Sequence, residues 1–160
     1  MNLRNPSSIK FLFYVLLGFV LTSSSPASNG FGDHINWVDY TSALSDSSKP
    51  TMVILHKSWC AACKNLKPKL AESLDFEELS KEFSMVNAGE SEELHDNADL
   101  SLDGSYIPRI YFLDPQGQVL PGVYNSKGNP SYKFFYFNAD TVLSSMRQVL
   151  EDFPEAKEEL

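Results

Sequence analysis

Apolar and polar positions fall into blocks along this chain, and each block has its own period. Met52-Val53-Ile54-Leu55 is continuously apolar, which predicts a central strand over Thr51–Lys57. Ala62, Leu66, Leu70 and Leu74 then recur four apart, the spacing of one helix face. The predicted helix runs over Cys60–Leu74, bent at Pro68. Asp75 and Glu78 read as the capping box of a second helical piece ending near Phe83. Phe83–Ala88 reads as a second buried strand. Arg109–Leu113 and Gln118–Leu120 flank Asp114-Pro115-Gln116-Gly117, a hairpin turn. Asn138 caps a last helix whose buried face is Val142, Met146, Val149 and Phe153. Nearer the start, Ile35–Ser45 reads as a short helix with Trp37, Tyr40, Thr41 and Leu44 on one face. Asp33 is its candidate cap, and Trp37 is read as a core anchor.

The remaining stretches carry weaker patterns. Asn29–Asp33 reads as a flexible lead-in. Gly89–Gly104 is acidic, with Glu90, Glu92, Glu93, Asp96, Asp99 and Asp103. It suits a helix or a long loop, and is read as a solvated, mobile connection. Its spacing is not that of an EF-hand. Pro121–Pro130 is turn-rich. Tyr132–Phe137 is densely aromatic, an extra strand or a surface patch, with packing the preferred reading.

The two ends carry addresses. Met1–Ser25 reads as a secretory signal. Arg4 and Lys10 supply its positive start, and the apolar run Phe11–Leu21 is too short to span a bilayer. Small polar residues follow, and cleavage is expected between Ser24 and Ser28. An uncleaved anchor would need a longer run. Residues 26–34 are then the lead-in, 35–153 one domain and 154–160 an acidic tail. The tail ends Lys157-Glu158-Glu159-Leu160, similar to the Lys-Asp-Glu-Leu retention signal. Alone it could be an ordinary acidic end. With the export signal it points to the endoplasmic-reticulum lumen, with a retention receptor as partner. Both Asn-Pro-Ser sequons carry the forbidden proline, so N-glycosylation is not expected.

Composition narrows the picture further. At 160 residues the chain suffices for one domain with a sizeable core. Losing Arg4 and Lys10 with the signal leaves 11 basic against 21 acidic residues, a net charge of −10. That balance argues against nucleic acid or a membrane surface as partner of the mature chain. The only two cysteines are Cys60 and Cys63. They cannot build a disulfide framework, nor by themselves a four-ligand zinc site. They sit where a strand ends and a helix begins. Free N–H groups and the positive helix end both favour a thiolate at Cys60. Cys63, one turn on, is close enough to close a disulfide with it.

Trp59-Cys60-Ala61-Ala62-Cys63 after an apolar strand resembles the thioredoxin active site. Pro68 matches the proline in that fold's first active-site helix. Ile107-Pro108 before a strand resembles the cis-proline loop that faces the cysteines. The wording of Lys57–Lys67 and Tyr106–Pro115, with an acidic tail ending in Leu, is similar to the anterior-gradient group. Those are small thioredoxin-domain proteins of the endoplasmic reticulum. The resemblance implies an α/β, thioredoxin-like fold: a central mixed sheet flanked by helices, with Cys-x-x-Cys at a strand-to-helix turn.

It also implies roles. Cys60, at an exposed helix start, attacks a substrate disulfide, and Cys63 resolves the mixed disulfide. Trp59 covers one side of the site. A cis Pro108 sets the Ile107 backbone opposite the sulfurs, where a client peptide can pair with it. The alternatives are an ordinary strand-start proline and an inert or purely structural cysteine pair. Thioredoxins carry Gly-Pro between the cysteines and protein disulfide isomerases Gly-His. Ala61-Ala62 lacks that histidine, so the expected potential falls at about −180 to −270 mV. Many relatives hold a buried acid six residues before the first cysteine; here that residue is Ile54. His56, on the same strand face, is the candidate proton carrier, or else a packed ring.

The expected function is thus disulfide exchange with secretory client proteins. It needs no metal or cofactor, with glutathione as a co-substrate and the protein acting as a monomer. The alternative is a client-binding escort with incidental cysteine chemistry, supported by Tyr132–Phe137 and the missing acid. A dimer sharing metal through two cysteine pairs is the third reading, and a cis-proline loop would obstruct it.

Overall fold

The computed structural model describes residues 27–154. The export signal over Met1–Ser25 and the tail Lys157–Leu160 lie outside the described residues. Thr51–Leu55 forms a strand buried at every position. It is the second of four: β1 (Trp37–Val38), β2 (Thr51–Leu55), β3 (Ser84–Asn87) and β4 (Arg109–Leu113), in the sheet order β1-β3-β2-β4. β2 pairs in parallel with β3, Met52 opposite Met85. It pairs antiparallel with β4, Ile54 opposite Ile110. A parallel pair needs a crossover. Here that crossover is α2 (Ala61–Ala71) followed by α3 (Leu74–Ser80). The other helices are α1 (Tyr40–Ser45), α4 (Glu92–His95) and α5 (Ala139–Asp152), with a 3-10 turn at Ala98–Leu100.

Alternation along the strands splits the core in two. Met52, Ile54, Met85, Ile110 and Phe112 face α2, α3 and α5, against Leu66, Leu70, Phe76, Val142, Met146 and Val149. Val53, Leu55, Val86, Tyr111 and Leu113 face the other way, against Ala43, Leu94, Leu100 and Phe134. Helices on both faces are why β2 can be apolar throughout. Each leucine buried this way contributes about 1.5–3 kcal/mol relative to exposure.

Several expectations are corrected. Ile35–Ser45 is not one helix. Trp37 and Val38 pair in parallel with Met85 and Val86 as an edge strand. α1 starts only after Asp39, whose carboxylate caps the Ser42 N–H at 2.8 Å. Trp37 is still a core anchor, buried with its indole N–H donating to Gly32 O at 2.9 Å. α1 buries Ala43 rather than Leu44. Next, α2 ends at Ala71 and Ser73 turns extended to cap α3, accepting from the Phe76 N–H at 3.2 Å. Ser73, not Asp75, is the cap. The break swings Leu74 off the shared face, leaving it 77% exposed.

The lead-in is not loose either. Phe31 is fully buried in the core, and Ser28 O accepts from Asn87 Nδ2 at 2.6 Å. The acidic connection folds into α4 and the 3-10 turn, each capped by a side chain, Ser91 and Asn97. The expected turn at Asp114–Gly117 forms, with Asp114 Oδ1 accepting from the Gln116 and Gln118 N–H groups. The arm after it makes a single bridge, Leu113 to Val119. Among the described residues no helix is long and apolar enough to cross a membrane.

Candidate redox-active site

The chain leaves β2 at Leu55 and makes a tight turn, closed by the Cys60 N–H donating to Lys57 O at 3.2 Å. Cys60 is the N-cap of α2, in extended backbone, and its Sγ accepts from the Cys63 N–H at 3.1 Å. The two sulfurs are bonded, with Cα atoms 5.2 Å apart. A helix-start N–H aimed at Sγ stabilises negative charge there once the bond is reduced. Cys63 is fully buried and Cys60 keeps 6% of its surface. Cys60 is therefore less open than a helix start implies. The Ile107–Pro108 peptide is cis, and Ile107 O lies 3.8 Å from Cys60 Sγ, roofing it. Exposure falls instead on Trp59, at 71%. Trp59, Cys60, Cys63, Ile107 and Pro108 are thus brought together from two distant segments.

His56 is buried at the end of β2, edge-on to Phe31 at 4.9 Å. Its Nε2 lies 2.5 Å from Asn87 Oδ1. Asn87 gives its Nδ2 to Ser28 O, so its oxygen faces the ring, and Nε2 must carry the proton. Nδ1 then holds the lone pair, buried and without a partner among the described residues. Burial pulls the pKa below the ordinary 6.5, against the raising effect of Asn87. The ring is neutral at neutral pH, and it bonds to Asn87 rather than to either sulfur.

Three residues unremarked by the sequence patterns hold the site together. Glu90 Oε1 accepts from the Ser58 N–H at 2.7 Å, and Oε2 lies 3.6 Å from Lys57 Nζ. The Ser58 backbone bond keeps the Glu90 carboxyl below its usual range. His95 Nε2 donates to Gly89 O at 2.9 Å and His56 O at 3.1 Å. Arg109, fully buried, donates to Leu100 O at 3.0 Å, Tyr106 O at 2.9 Å, and His95 O and Ser101 Oγ at 3.2 Å. It ties the cis-proline loop to the acidic segment, which in turn holds the cysteine turn. A charged residue inside the apolar run that ends at Leu113 was the available signal for Arg109. Glu90 and His95 had none, lying in a stretch that reads as solvated.

The aromatic stretch packs. Phe134 stacks on Tyr111 at 4.3 Å, and its carbonyl accepts from the Ile110 N–H, covering the free edge of β4. Tyr136 is buried with its hydroxyl 2.9 Å from Ser145 Oγ. Tyr132 and Phe137 stay exposed.

The chain is similar in sequence to known proteins. A family profile described as Thioredoxin-like matches residues 36–115. That span takes in both the cysteine turn and the cis-proline loop. Anterior gradient protein 2-B of Xenopus laevis is 32% identical over 163 residues, covering 90% of this chain and 94% of that protein. Anterior gradient protein 3 of Mus musculus is 33% identical, covering 77% and 76%. A solved structure, a disulphide isomerase from Xylella fastidiosa Temecula1, aligns at a TM-score of 0.49 and 22% identity, over 68% of this chain and 86% of that one. The chain belongs to the thioredoxin-like family, among the anterior gradient proteins.

Proposed function

We propose that this protein is a thiol–disulfide oxidoreductase of the endoplasmic-reticulum lumen, exchanging disulfides with secretory proteins through Cys60 and Cys63. One observation carries the reading: Cys60 Sγ accepts a helix-start N–H while the Ile107 carbonyl of a cis-proline loop faces it. In the reduced protein, Cys60 thiolate attacks one sulfur of a client disulfide. That S–S bond breaks, and the departing client sulfur takes up a proton. A Cys60–client mixed disulfide remains. Cys63 then gives up its proton and attacks Cys60. The second client thiol is released, and the Cys60–Cys63 disulfide closes. Two electrons have passed to the client. Two glutathione thiols, oxidised to glutathione disulfide, return the dithiol.

Ile107 offers its backbone to the client and Trp59 flanks it. His56, whose Nδ1 has no hydrogen-bond partner among the described residues, is the candidate acceptor of the Cys63 proton. The location rests on the export signal and on Lys157-Glu158-Glu159-Leu160, read by a retention receptor.

The test is expression in secretory cells with the natural signal. Cys63→Ala is expected to accumulate client mixed disulfides, because resolution is lost, and Cys60→Ala almost none. Deleting residues 157–160 from the Cys63→Ala chain is expected to move those adducts into the medium. An absence of adducts, with client secretion equal when both cysteines are replaced, would make the protein an escort rather than an enzyme.

A further inference from the structure

The turn that presents Cys60 is held from outside by one carboxylate. Gly89 takes a left-handed backbone, φ +47°. That turns the chain after β3 and brings Glu90 to the cysteine turn. Three contacts follow. Oε1 accepts from the Ser58 N–H at 2.7 Å, Oε2 pairs with Lys57 Nζ at 3.6 Å, and Glu90 O accepts from the same Nζ at 3.4 Å. Lys57 and Ser58 both belong to the turn that the Cys60 N–H closes on Lys57 O.

We propose that Glu90 is a positioning residue for Cys60. Its carboxylate fixes the Lys57–Cys60 turn through Ser58 and offsets the Lys57 ammonium, making the Cys60–Cys63 couple less oxidising than the bare turn would be. The argument is electrostatic. Around Cys60 the sequence is cationic: Lys57 before it, Lys64, Lys67 and Lys69 on α2, and no acid between residues 57 and 71. An unpaired ammonium three residues from Cys60 stabilises its thiolate, hence the reduced form. Paired with Glu90 it acts as a dipole, whose field dies away faster. His56 is neutral and adds no charge. Lys57 is 17% exposed and Glu90 59%, so salt screens the effect in part.

The test equilibrates purified protein with glutathione. Protein disulfide and two glutathione thiols give protein dithiol and glutathione disulfide, a two-electron exchange whose constant is read by alkylation and mass. Glu90→Gln removes the charge but keeps an oxygen for Ser58. It is expected to shift the constant toward dithiol by about two- to five-fold, the range of exposed charge pairs. Lys57→Met is expected to shift it the other way, and the double variant to return close to the natural value. Glu90→Ala adds loss of the Ser58 acceptor, so the Ser58 amide is expected to exchange hydrogen faster there but not in Glu90→Gln. An unshifted constant in Glu90→Gln overturns the charge role. An unchanged Ser58 amide in Glu90→Ala overturns the positioning role. No client takes part, so a shift here without client trapping defeats the oxidoreductase reading and leaves this one standing.

Discussion

Among the described residues His56 has one ring nitrogen bonded and the other without a partner, and the burial of the ring bears on pH. Burial lowers the pKa of His56, and of His95, below 6.5. Asn87, Lys67, Glu90 and His95 are the groups that act on the His56 ring, and none outweighs its burial. Just below pH 6.5 the unfolded chain therefore takes up protons that the folded chain refuses. Stability rises with pH across that window and is lost as pH falls through it. Asp39, Asp46 and Glu90 have lowered carboxyl pKa values, and their share of stability is lost only in the more acidic carboxylate range. We expect denaturant titrations to show stability falling as pH drops below 6.5, with a shallower slope in His56→Phe. The same variant should resolve mixed disulfides more slowly if Nδ1 takes the Cys63 proton. Unaltered resolution with a shallower slope would leave His56 as a packed ring.

Helices α2 and α3 meet at a break that a four-residue spacing cannot reveal. Leu74 continues the sequence pattern, yet Ser73 gives up helical backbone to cap the next helix. Its hydroxyl satisfies a first-turn N–H that would otherwise be unpaired. Ser73→Ala should cost about 1 kcal/mol in denaturant unfolding. Asp75 instead reaches Arg147 of α5 at 2.8 Å, on the surface, and Asp75→Asn should cost roughly 0.5 kcal/mol. A larger loss at Asp75 than at Ser73 would return the capping role to Asp75.

Across the whole molecule, the segment before β1 is part of the core. Phe31 touches His56 edge-on, lies under Lys67 Nζ at 5.5 Å, and is sealed from solvent. Phe31→Ala should cost about 3–5 kcal/mol, as for other buried phenylalanines. A loss under about 0.5 kcal/mol, the range of surface changes, would mean that the segment merely rests on the domain.

What the amino-acid order determined by itself was local. The apolar run of β2, the cysteine pair at a strand-to-helix junction, the Asp-Pro-Gln-Gly turn and the capped, four-spaced α5 all rest on contacts within about one helical turn or one strand. The cis-proline loop was legible through family resemblance in the residues around Pro108. Tertiary structure alone decided the rest. Trp37-Val38 became a strand because Met85 and Val86 offered a partner edge. Glu90, His95 and Arg109 became the frame of the site through the Ser58 N–H, the His56 carbonyl and the His95 carbonyl, partners on other segments of the chain. Cys60 is buried, with a carbonyl from forty-seven residues away 3.8 Å from its sulfur. Periodicity registers neighbours three or four residues apart, and these partners are far outside that reach.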